Sequence, residues 1–68
     1  MPKKIYNRIK AVLAEKGMTN NTLAESLEMN STTISKWCRN DMQPRVETLF
    51  HIAKVLDVDV RELLVSSK

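Results

Sequence analysis

The chain has 68 residues, 43% of them hydrophobic, which suffices for one modest core and excludes both wholesale disorder and a multidomain architecture. One Gly and two Pro leave little material for hairpin turns, while helix formers such as Ala, Leu, Lys, Glu, Met and Arg abound, so an all-α chain is expected. The net charge of +3 is uneven, +4 over residues 1–45 and −1 over the remainder, which favours approach of a polyanion to the first part.

In chain order, Ile5, Ile9, Val12 and Leu13 follow the i, i+4, i+7, i+8 spacing of an apolar helical stripe. Gly17 ends this first helix, because Gly takes the left-handed cap without strain. Thr19 N-caps a second helix, with Leu23, Ala24 and Leu27 on its buried face. After the connection Glu28-Met29-Asn30, Asn30 N-caps a third helix in which Ile34, Trp37 and Cys38 sit at i, i+3, i+4. Asn40 ends it, since Asn tolerates the left-handed conformation. Residues 40–44 read as a loop. A fourth helix carries Val46, Leu49, Ala53 and Leu56 with Ile52 beside them. Asp59-Val60-Arg61-Glu62 resembles a capping box opening a short fifth helix with Val60, Leu63 and Leu64. Residues 65–68 read as a short flexible tail. The expectation is a single domain over residues 1–68 with no repeat or linker.

The third helix carries the functional signal. At about 100° per residue, Ser31, Thr32, Ser35, Lys36 and Arg39 share one arc, with Ile34, Trp37 and Cys38 outside it. That arc has small hydroxyls first, two cations later and no acid. An ordinary solvated face mixes Glu with Lys. A face that enters a major groove must be slim, rich in hydrogen-bonding groups and free of negative charge. The start of the second helix, with Thr19 and Asn20, offers N–H groups to a phosphate, a contact that positions without reading sequence.

The run Met18–Arg39, MTNNTLAESLEMNSTTISKWCR, with Pro44, Glu47-Thr-Leu and Ile52-Ala-Lys-Val-Leu-Asp-Val, resembles the phage repressor and Cro (CI) type of helix-turn-helix domain, the XRE-like family. The resemblance covers roughly residues 5–64. It implies a compact five-helix lambda-repressor-like domain, with the helix-turn-helix at the second and third helices, about residues 19–39. It also implies base reading by Ser31, Thr32 and Lys36, with Ser35 at the margin. Backbone contacts fall to Thr19, Asn20, Asn30, Arg39 and Arg45. Members commonly bind double-stranded DNA as dimers on two half-sites. Three positions depart from the family pattern: Glu28 stands where the turn often has Gly, Asn40 where Gly often follows the third helix, and Arg45 where Ser or Thr usually caps the fourth.

Other chemistry has little footing. Cys38 and His51 are each the only residue of their type, with no third ligand or orienting group for a metal or nucleophile site, so no metal, cofactor or enzymatic activity is expected. Trp37, beside Ile34 and Cys38, reads as core rather than as a base-stacking platform. A lone cysteine fits a reducing compartment. No signal peptide and no run of roughly 18 apolar residues is evident, so a cytoplasmic location without a membrane span is expected. The resulting expectation is a sequence-specific transcriptional regulator, a repressor in sign, that binds an inverted-repeat operator as a homodimer through Val60, Leu64 and Val65. The rival expectation is a protein-interaction module on the same fold, such as an antitoxin-like partner binder, without a primary DNA role.

Overall fold

The computed structural model describes residues 4–66. Four α-helices follow in order: α1 (Ile9–Glu15), α2 (Asn20–Leu27), α3 (Ser31–Cys38) and α4 (Val46–Leu56). The fifth element, Val60–Leu63, is a 3-10 turn rather than the expected α-helix. The capping box read from the sequence is present there. The Asp59 side chain accepts at the start of the turn and Glu62 accepts from the Asp59 N–H. The turn's backbone closes by i→i+3 bonds, from the Glu62 N–H to Asp59 and from the Leu64 N–H to Arg61, before the chain extends at Leu64.

All four helices end in the same way. Gly17, Glu28, Asn40 and Asp57 adopt φ of 64°, 55°, 61° and 57°. In each case the next residue's N–H bonds back five positions: Met18 to Leu13, Met29 to Ala24, Asp41 to Lys36 and Val58 to Ala53, at 2.9–3.0 Å. This is the left-handed closure that satisfies carbonyls a helix end would otherwise leave open. Only one of the four residues is a glycine. Asn and Asp tolerate the conformation, whereas Glu has no such preference and carries the larger strain.

The first helix is shorter than the apolar stripe suggests. Ile5 is 61% exposed and lies outside α1. The Asn7 side-chain oxygen takes the Ile9 N–H at 3.1 Å, so the helix begins there. Just before it, Asn7 pairs with the other end of the described chain through an antiparallel bridge to Leu64. The Arg8 N–H donates to the Leu63 carbonyl at 2.8 Å, and the Val65 N–H donates to that of Tyr6 at 3.1 Å. Val65, read as the start of the tail, is therefore tied by its backbone. Ser67 and Lys68 lie outside the described residues.

One core unites the elements. Ile9, Val12 and Leu13 of α1 meet Leu23, Ala24 and Leu27 of α2, Ile34 and Trp37 of α3, Ile52, Ala53 and Leu56 of α4, and Leu63. Trp37 is 4% exposed and belongs to this core. Val46, expected on the buried stripe of α4, is exposed; it opens the helix, and Pro44 two residues earlier is buried instead. The packing of α2 against α3 is the closest pairing that bears on function, because it holds the outer face of α3 clear of the core.

Candidate nucleic-acid interface

Local capping sets where the two helices of the motif start. The Thr19 hydroxyl accepts from the Thr22 N–H at 3.1 Å and shares a 2.9 Å hydrogen bond with the Thr22 hydroxyl. The Asn30 side chain accepts from the Thr32 N–H at 2.7 Å. Both residues were singled out as backbone contacts; both side chains are engaged as caps. Glu28, between the helices, takes the left-handed turn conformation without glycine.

The face of α3 is ordered by depth. Ile34 and Trp37 are buried, Ser31, Thr33, Ser35 and Cys38 are half-buried, and Thr32, Lys36 and Arg39 are exposed. Thr32 and Lys36 stand one helical turn apart on the outer ridge. Lys36 lies in the last turn of α3, where a cation complements the helix dipole. No acid lies on α3 itself. Ser31, however, borders a cleft shared with Glu25 and Glu28, so negative charge approaches the first turn from the α2 side.

The opposite flank is cationic. Lys10, Asn20, Ser35, Cys38 and Arg39 line a cleft of about 170 Å³ where α1, α2 and α3 meet. Inside it the Asn20 Nδ2 donates to the Ser35 hydroxyl at 3.2 Å, and the Cys38 thiol lies 3.5 Å from the Asn20 Oδ1. Burial pushes the Cys38 thiol above its ordinary value, with Lys10 partly opposing the shift. A thiol held protonated is a poor nucleophile. Nothing in the sequence marks Lys10 as a neighbour of Asn20 and Arg39, because that proximity is created by packing.

Two of the expected cations are positioned differently. Arg39 pairs with Asp41, Nε to Oδ2 at 2.9 Å, at an exposed site. Arg45 is the exposed N-cap of α4 and makes no side-chain capping bond, so the missing Ser or Thr is not replaced by another cap. Thus Asn20, Ser35 and Arg39 share one cleft, Thr32 and Lys36 share the outer ridge, and Arg45 stands apart across the 40–44 loop.

Sequence reasoning gave Asn7 no role. Among the described residues it is the buried polar one, 4% exposed. Its Nδ2 donates to the Trp37 carbonyl at 3.0 Å and to the Gln43 side-chain oxygen at 2.7 Å. No local spacing rule reveals contacts that reach thirty residues or more along the chain. Among the described residues no group of three or more His, Cys, Asp or Glu is placed to hold a metal ion, and no helix is long and apolar enough to cross a membrane.

The Helix-turn-helix family model matches residues 9–63. No curated protein matches the chain. Among solved structures, a candidate DNA-binding protein from Bacteroides fragilis is similar, at 49% identity, with 87% of this chain and 95% of that chain covered and a TM-score of 0.86.

Proposed function

The chain belongs to the Helix-turn-helix family, and on that footing we propose that it is a sequence-specific, double-stranded DNA-binding transcriptional regulator that acts as a repressor. The observation that carries this reading is the outer face of α3. It presents Thr32 and Lys36 on its ridge, keeps Ser31 and Ser35 half-exposed beside them, and is anchored from behind by Ile34 and Trp37. Such a face offers donors and acceptors to base edges in the major groove. Ser31, Thr32, Ser35 and Lys36 read bases. Thr19, Asn20, Asn30, Arg39 and Arg45 hold the phosphate backbone, where Lys10 adds charge to the same cleft. The acids Glu25 and Glu28 lie beside Ser31 in the first turn of α3, whereas Lys10 and Arg39 line the cleft near its end, which favours approach of the phosphates from that flank.

A domain of this size covers a small stretch of DNA, so two copies on an inverted repeat supply useful specificity. The half-sites are then about one helical turn apart. Val60, Leu64 and Val65 form the contact between copies; Leu64 and Val65, 43% and 40% exposed, offer more apolar surface than Val60, which is half-buried against the core. Ultracentrifugation showing a monomer both free and on DNA rules this interface out.

Selection of bound sequences from a random duplex pool tests the whole reading. A DNA reader enriches a two-fold symmetric motif, and its affinity falls steeply with salt. Absence of binding to any duplex at low salt favours instead a partner-binding module on this fold.

A further inference from the structure

Asn40 follows Arg39, the C-cap of α3, and holds a left-handed backbone. Its Oδ1 accepts from the Tyr6 N–H at 2.9 Å, the Asn7 N–H at 3.1 Å and the Gln43 Nε2 at 3.1 Å. Its Nδ2 donates to the Asn7 carbonyl at 3.3 Å. Asn7 reciprocates by donating to the Trp37 carbonyl, in the last turn of α3, while its own oxygen starts α1 at Ile9. Two carboxamides therefore join the end of α3 to the start of α1. Through the Asn7–Leu64 bridge they also join it to the end of the chain.

We propose that Asn7 and Asn40 are positioning residues that set the pose of α3, and that they govern discrimination between DNA sequences rather than overall affinity for DNA. The inference rests on the DNA-binding reading above. Apolar packing of Ile34 and Trp37 tolerates small rotations of a helix. The Asn7 carboxamide does not: it is buried with both Nδ2 hydrogens and its oxygen engaged, so any shift strands a buried donor or acceptor, and half-buried Asn40 holds the Asn7 backbone at both its N–H and its carbonyl. Base-edge hydrogen bonds need close, aligned geometry, and the short Ser31, Thr32 and Ser35 side chains cannot follow a displaced helix. Long cationic side chains on phosphates can. Loosening the clamp thus degrades reading before it degrades holding.

The test compares wild type, Asn40→Gly and Asn40→Asp on two duplexes: the sequence that wild type selects from a random pool, and a random duplex of equal length. Gly keeps the left-handed backbone and removes the carboxamide. Asp keeps the oxygen that accepts from the Tyr6 and Asn7 amides. Asn40→Gly is expected to bind random duplex within about twofold of wild type while its preference for the selected sequence drops on the order of tenfold, a loss of about 1.4 kcal/mol in discrimination. Asn40→Asp keeps the preference near the wild-type ratio, whatever its added charge does to both affinities. An unchanged ratio in Asn40→Gly, or an equal collapse in Asn40→Asp, overturns the proposal. Amide hydrogen exchange on the free proteins gives a readout without DNA. Protection at Tyr6 and Asn7 falls in Asn40→Gly while Leu23 and Ile52 hold; unchanged protection also overturns the clamp. Wild type binding no duplex at low salt overturns the functional reading, and with it the role in discrimination.

Discussion

The Asn20 carboxamide and the Ser35 hydroxyl meet at 3.2 Å across the angle between α2 and α3. A residue assigned to the phosphate backbone is thereby bonded to one assigned to base reading. The hydroxyl that accepts from Asn20 has its own hydrogen left to donate, so Asn20 decides which way Ser35 points. A double-mutant cycle on DNA affinity, with Asn20→Ala, Ser35→Ala and both, is expected to show coupling on the order of 0.5–1 kcal/mol. Strict additivity would make Asn20 a phosphate contact alone.

Glu28 carries the turn between α2 and α3 at φ 55°. A non-Gly residue there costs on the order of 1 kcal/mol. Glu28→Gly removes that strain and also an acid beside Ser31. The expected outcome is a rise in Tm of about 4–8 °C, together with tighter binding to every duplex. Thermal denaturation and salt-dependent binding check the two halves separately. A lower Tm would mean that the Glu28 side chain contributes more than its backbone costs.

Much of this was legible in the sequence. The caps Thr19, Asn30 and Asp59, the left-handed Gly17 and Asn40, and the core placement of Trp37 all follow from local rules that act within a turn or two. Ile5 misled, because i, i+4 spacing looks the same whether or not a helix reaches that far. The start of α1 is set by Asn7 and by pairing with residues 63–65, which is a non-local choice. Val46 misled for a related reason, since periodicity cannot show where the core's edge lies. The face of α3 was readable from spacing. Its cationic flank was not, because Lys10 reaches Asn20 and Arg39 only through the packing of three helices.

Arg39 is shared between Asp41 and, in the proposed complex, a phosphate. The pair is exposed, with the Arg39 side chain 60% accessible, and such pairs contribute little in water. Asp41→Ala should therefore leave Tm nearly unchanged. It should raise affinity for selected and random duplexes alike by about threefold, within the range an exposed pair is worth. Fluorescence anisotropy across a salt series measures both. A gain confined to the selected sequence would instead place Arg39 on a base.

Asp59 makes part of the acid-side stability titratable. Its carboxylate accepts from the Arg61 Nε and Nη2, each at 3.1 Å, and from the Arg61 N–H at 2.8 Å. These bonds, the side-chain ones first, hold it below its ordinary value of 3.8. A carboxyl lowered on folding contributes stability that is fully present above the ordinary value and is lost as pH falls through the lower folded value. Asp59→Asn keeps an oxygen for the Arg61 N–H but cannot titrate. Wild type should exceed the variant in Tm near neutral pH, and the gap should close as pH drops below about 4. A gap independent of pH would mean that the carboxylate's charge contributes nothing beyond its role as a cap.

Lys36 offers the sharpest separation of reading from holding. It is exposed on the ridge of α3 one turn after Thr32, with Ile34 and Trp37 fixing the helix behind it. A lysine that donates to guanine acceptors discriminates at one base position, whereas one on phosphate weakens binding to all sequences equally. Lys36→Ala is expected to relax preference at a single position per half-site by about 1–3 kcal/mol. Because Lys36 leaves the core untouched, Tm should stay close to wild type, so the effect on binding is not a folding effect. Repeating the random-pool selection with the variant shows the result directly: the enriched motif loses one column and keeps the others. Uniform loss with an intact motif, and a salt slope reduced by about one, would move Lys36 to the backbone and leave reading to the three hydroxyls.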